Sequence, residues 1–166
     1  GILVIAAAGN DGRSNDVTPY YPASYPLDNI ISVASINRYD QLLTSSNFGK
    51  RVHIAAPGLS VMSTLPGGRY GMMSGTSQAT AFVTGAAALL ASQFKEIKQF
   101  DYKQIKTWIT EGSRSMPENS QGKVVVSHGI LSVSGSLKLV RNGTSTNRSA
   151  QSVALETKKK MKFKRN

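Results

Sequence analysis

The chain has 166 residues, 40% hydrophobic and 17% charged, which is enough for one domain with an apolar core and ordinary for a globular protein. It has no cysteine, which excludes a disulfide framework and a thiolate zinc site. The net charge of +11 invites a polyanion-binding reading, but six of the twenty basic residues sit in the stretch 158–165 and no aromatic–basic interleaving occurs elsewhere, so no specific nucleic-acid site is expected.

Gly1 leads straight into Ile2-Leu3-Val4-Ile5-Ala6-Ala7-Ala8, an apolar run with the pattern of a parallel strand covered on both faces. The run is far shorter than the roughly 20 apolar residues of a membrane span. With no initiator Met and no charged leader before it, it reads as a core strand of a larger protein. Gly9-Asn10-Asp11-Gly12 is rich in turn residues, and the loop continues through Pro19, Pro22 and Pro26. Strands are expected at Ile30–Ile36 and Val52–Ala56, the second stopped by Pro57-Gly58. Val61 to Leu65 and Arg69 to Met73 read as a hairpin around Pro66-Gly67-Gly68.

From Thr76 to about Phe94 the spacing of Ala79, Phe82, Val83, Ala86, Leu89 and Leu90 predicts a helix. Small residues fill most other places, so it is apolar all round and expected to be buried at the centre of the domain. A second helix is expected over Asp101–Glu111, with Asp101 as N-cap and Gly112 just past its end. Its Ile105, Trp108 and Ile109 share one face. Past Val124-Val125-Val126 and His128-Gly129, a short helix is expected from Ser132 to about Val140. This alternation predicts an α/β domain over residues 1–140, with a mostly parallel sheet flanked by helices. Residues 141–166 read as a polar linker and basic tail, or as the start of a further domain.

The stretch Gly75-Thr76-Ser77-Gln78-Ala79-Thr80 feeds a turn directly into the apolar helix. A serine here has two meanings. It can be an N-cap, its hydroxyl satisfying a free backbone N–H. It can instead be a nucleophile, with the helix N-terminus holding a developing oxyanion. These residues alone leave both open.

The wider order of segments is more specific. Ala55-Ala56-Pro57-Gly58, Ser63-Thr64, Pro66-Gly67-Gly68 and Tyr70 lead into Ser74-Gly75-Thr76-Ser77, and Ala6-Ala7-Ala8-Gly9-Asn10 and Tyr21-Pro22-Ala23-Ser24-Tyr25-Pro26 lie upstream. Together with Gly129-Ile130-Leu131 near the end, they closely resemble the subtilisin-like serine proteases over about residues 1–140. The resemblance implies a serine endopeptidase, a C-terminal part of whose catalytic domain is present. It makes Ser77 the nucleophile, Asn10 the oxyanion donor alongside the Ser77 N–H, and Thr76 a secondary donor. It places Ala7, Ala8, Gly9 and Gly75 at the substrate, the first three as a wall of the primary pocket, with Tyr20 narrowing its floor. It also implies a cis Tyr21-Pro22 bond.

In that family the triad Asp and His precede the asparagine strand. His53 and His128 are the two histidines here, and neither has the expected setting, so the base is expected from a missing N-terminal half and this chain alone is expected to be inactive. Gln78 stands where the family usually has Met, and Ala81-Phe82 where it has Pro-His. A non-catalytic pseudoprotease or binding module on the same scaffold is the alternative. No cofactor is called for. The resemblance allows structural calcium, although the sequence offers no carboxylate-rich loop for it. It further implies a polypeptide substrate, a propeptide and an extracellular, secreted location.

Overall fold

The computed structural model describes residues 1–94, 96, 99–117 and 128–142. Three apolar segments, β1 (Val4–Ala7), β2 (Ile30–Ile36) and β3 (Ile54–Pro57), lie side by side in that order as a parallel sheet. Val4 stands opposite Ile30, and Val33 opposite Ile54. All seven residues of β2 are buried, as a central parallel strand covered on both faces requires. Residues 129–131 extend the sheet beyond β3: Ala55 N–H donates to Gly129 O and Leu131 N–H to Ala55 O, both at 2.9 Å.

Alternation along the strands sorts the core into two layers. Ile31, Val33, Ile54 and Ala56 face α1 (Thr76–Ala91) and α2 (Tyr102–Glu111), packing on Ala79, Val83, Ala87, Leu90, Ile105 and Ile109. Ala34 and Ile36 point the other way, onto Ala8, Val52, Ala55 and Ile130. The hairpin β4 (Val61–Leu65) and β5 (Arg69–Met73) forms a separate two-stranded sheet with Leu65 opposite Arg69. The expected parallel sheet with flanking helices is therefore present.

Element boundaries differ where side chains replace main-chain partners. The strand expected from Val52 begins only at Ile54, because Ser32 N–H donates to His53 Nδ1 (3.0 Å) while His53 N–H donates to Ser32 O. The imidazole thus takes a place in the ladder that a carbonyl would fill. Helix α1 stops at Ala91, three residues early, where Ser92 Oγ (2.7 Å) and Gln93 Nε2 (3.3 Å) donate to the otherwise free Leu89 carbonyl. Asp101 caps α2 as expected, accepting from Lys103 N–H at 2.8 Å. The last helical turns run over 133–142, two residues past the expected end.

Helix α1 is not buried all round. Ala81, Phe82, Gly85, Ala88 and Leu89 form one exposed apolar stripe, with Phe82 44% and Leu89 43% exposed. The sheet and α2 cover one side of it, and no described residue covers the other. The apolar Val124–Val126 run, and the linker and basic tail over 143–166, lie outside the described residues.

Candidate active site

The end of β3 is pressed against the start of α1. Gly75 N–H donates to Gly58 O at 2.8 Å, and Gly58 N–H to Ile36 O at 3.0 Å. A Cβ on Gly58 would lie 2.1 Å from Ser35 Oγ and 2.6 Å from Gly75 O, so the Pro57-Gly58 strand end needs glycine for this approach. Gly75, at φ 149°, is itself the N-cap of α1, and no side chain caps the helix. Ser77 is therefore the second helical residue, and the N-cap reading of its hydroxyl does not hold. Its side chain is exposed, on a helical turn whose N–H groups have no helical acceptor.

Asn10 meets this turn from the end of β1, 66 residues away in sequence. Its Oδ1 accepts from Thr76 N–H (2.9 Å) and from Thr76 Oγ1 (3.2 Å). A backbone N–H can only donate, so the amide atom facing it is the oxygen, and Nδ2 makes no hydrogen bond to a described residue. Gly9 N–H closes the junction on Thr76 Oγ1 at 3.3 Å. Gly75 lies under the same amide: a Cβ there would sit 3.3 Å from Asn10 Oδ1 and 3.4 Å from Nδ2, and 3.3 Å from Gln78 Oε1.

Ser77, Asn10, Thr76, Gly75 and Gly9 thus come together at one corner. Thr76 is fully buried, and its hydroxyl donates to Asn10 Oδ1. Ala7 is half-buried, while Ala8 is fully buried with its methyl packed in the core beside Ala34 and Val52. Tyr20 lays its ring edge against Gly9, where a Cβ would lie 3.0 Å from Cδ2. The Tyr21-Pro22 bond is cis.

Neither histidine joins this corner. His53 is held at the sheet by Ser32 N–H, and its Nε2 lies 3.4 Å from Lys106 Nζ. Burial first, then the charge of Lys106 and the nearby His128, push its pKa down to about 4. His128 is exposed, and its backbone oxygen accepts from Ser113 Oγ. No described side chain hydrogen-bonds the Ser77 hydroxyl. Calcium does not fit the described carboxylates either. No three His, Asp or Glu side chains among them converge. Asp16 accepts from Lys50 and Arg51 N–H, Asp28 pairs with Lys103, and Asp40 pairs with Arg114.

Comparison with known proteins decides the family. Residues 1–130 match the Subtilase family (peptidase S8). This chain belongs to the subtilase family. It is 49% identical over 102 residues to the thermophilic serine proteinase of Bacillus sp. (strain AK1), covering 60% of this chain and 24% of that protein. It is also 49% identical over 94 residues to subtilisin E of Bacillus subtilis (strain 168), covering 56% of this chain and 24% of that protein. Among solved structures, the prenylagaramide maturation protease PagA superposes with a TM-score of 0.71 at 28% identity, over 82% of this chain and 50% of that one. The subtilase chain described here thus spans about a quarter of either sequence relative. No helix among its described residues is long and apolar enough to cross a membrane.

Two residues beside the site gave no sequence signal. Asn15 and Asn47 are 0% and 2% exposed, side by side beneath the Asn10 loop. A signal could have come only from knowing that the two loops meet.

Proposed function

We propose that this chain carries the nucleophile and oxyanion site of a serine endopeptidase. The observation that carries this reading is the corner itself: an exposed serine on the first turn of α1, with the Asn10 amide anchored beside it by its oxygen. Ser77 Oγ attacks the carbonyl carbon of the scissile bond and passes its proton to a general base. The carbonyl oxygen becomes an oxyanion, held by Asn10 Nδ2 and the Ser77 N–H. Collapse expels the amine, which takes the proton, and water then hydrolyses the acyl-enzyme. Thr76 acts by holding Asn10, and Ala7, Ala8 and Gly9 line the substrate through their backbone.

In this reading the peptidase domain extends through the helix that ends at residue 142, two residues past the expected boundary at 140, and the polar and basic sequence after it is a linker and tail or the start of a further domain. The general base comes from the rest of that domain. Polypeptide substrates belong to the same proposal, supported by the family, and a propeptide and a secreted location are proposed with them.

A fluorophosphonate probe tests it. The complete protease should label at Ser77, and Ser77→Ala should abolish both labelling and peptide hydrolysis. Asn10→Ala should lower kcat by about 10²–10³ with little change in KM, a figure that comes from a subtilisin asparagine and is borrowed here. Labelling that survives Ser77→Ala would remove the serine from the mechanism. A complete protein that neither labels nor cleaves would be a pseudoprotease.

A further inference from the structure

The loop that presents Asn10 is held on both sides by one buried residue, on one side through its side chain and on the other through its main chain. Asn47 Oδ1 accepts from Asp11 N–H (2.9 Å) and Arg13 N–H (3.2 Å), while the main-chain N–H of Asn47 donates to Gly9 O (2.9 Å). The chain before Asn10 and the chain after it are therefore tied to the same residue. Among the described residues the main chain of Asn10 forms no hydrogen bond, and its amide oxygen is held by Thr76. Asn47 is in turn locked in place. Its Nδ2 donates to Asn15 Oδ1 (3.0 Å), and Asn15 Nδ2 donates to Ala8 O (2.9 Å), at the end of β1.

Every amide atom of Asn47 is thus used, and a buried amide left unpaired costs more than the bond is worth in water. That makes the arrangement all-or-none, which is what a fixed reference point needs. The fit is tight at Gly9, where a Cβ would lie 2.4 Å from Asn47 Nδ2 and the backbone has φ +110°. The contact leaves no room for the loop to slide on its support.

We propose that Asn47, oriented by Asn15, is a positioning residue for the reaction. It fixes the Gly9–Arg13 loop so that the Asn10 amide reaches the oxyanion already aligned and needs no rearrangement as charge develops. This rests on the reading of Asn10 as the oxyanion donor. Asn47 touches no reacting atom and acts through Asn10.

The test has two arms. In the full chain, amide hydrogen exchange is compared with Asn47→Ala. Thr76 N–H is the probe, because it bonds Asn10 Oδ1 and does not touch Asn47. Its exchange should quicken at least about tenfold while Val33 and Ala55 in the sheet keep their protection. Unchanged protection at Thr76, or loss spread evenly through the sheet, would overturn the proposal. Should Asn47→Ala fail to fold, Asn15→Asp keeps an acceptor for Asn47 Nδ2 but loses the donor to Ala8 O, Asn15→Ala loses both, and a quickening at the same N–H seen in Asn15→Ala beyond that in Asn15→Asp reports the loss of Asn47's orientation. In the complete enzyme, Asn47→Ala should lower kcat about 10–100-fold at nearly constant KM, and should add little in an Asn10→Ala background. Additive losses in the double variant would mark Asn47 as merely structural. If Asn10→Ala alone leaves kcat unchanged, the oxyanion reading fails, while the exchange arm still decides whether Asn47 holds the loop.

Discussion

At Asn10 the amide oxygen is anchored on Thr76, and the proposed function gives the nitrogen to the oxyanion. The Thr76 hydroxyl both accepts from Gly9 N–H and donates to Asn10, so removing it leaves one buried N–H unpaired and loosens the amide. Thr76→Ala should therefore cut kcat on a peptide ester by about tenfold, less than Asn10→Ala does, and Thr76→Ser should restore most of it. Equal losses in both Thr76 variants would point to the methyl, and so to packing. Ser77 and Asn10 were singled out by the order of subtilase-like segments around them, since their own short motifs left both readings open. The use of the Thr76 hydroxyl was not legible, because its direction depends on a residue 66 positions away.

At the scale of elements, the join between β2 and the start of β3 depends on protonation. His53 Nδ1 accepts from Ser32 N–H, so the neutral ring carries its proton on Nε2, facing Lys106. Burial, Lys106 and His128 hold the folded pKa at about 4, below the ordinary 6.5. Between these values the unfolded chain takes up a proton that the folded chain refuses. Stability is therefore full above pH 6.5 and falls as pH drops toward 4, by about 1–3 kcal/mol for a ring that is only partly shielded. Urea unfolding at pH 7 and pH 4.5 should show this loss, and His53→Gln should flatten it. A slope unchanged in His53→Gln would place the titrating group elsewhere. Periodicity located β2, the hairpin and α2 to within a residue, because each is defined by its own pattern. It misplaced the ends of β3 and α1, where His53, Ser92 and Gln93 take over main-chain bonds.

At the scale of the whole molecule, two features point beyond the described residues. β1 has β2 on one side and no described strand on the other, and α1 shows the stripe from Ala81 to Leu89. Its small residues would let another element approach closely, and an apolar patch beside a candidate active site is usually a contact surface. Because the chain covers 24% of subtilisin E and 50% of PagA, the rest of the domain is the proposed occupant. Leu89→Glu should leave the circular dichroism of this chain unchanged yet weaken its association with a separately expressed N-terminal half by at least about tenfold. Undiminished association would mean that this face stays open.

Taken by itself, the sequence determined where the strands and helices lie, that the sheet is parallel, and that a serine and an asparagine stand in subtilase motifs. These are local properties, carried by side-chain period and turn chemistry within a few residues. Only the tertiary structure decided that Gly75 and not Ser77 caps α1, that Thr76 serves Asn10, that His53 belongs to the sheet, and that Asn47 and Asn15 lie buried under the loop. Each of those depends on segments far apart in the chain being pressed together, and a hydrogen bond across such a junction leaves no period in the sequence to read.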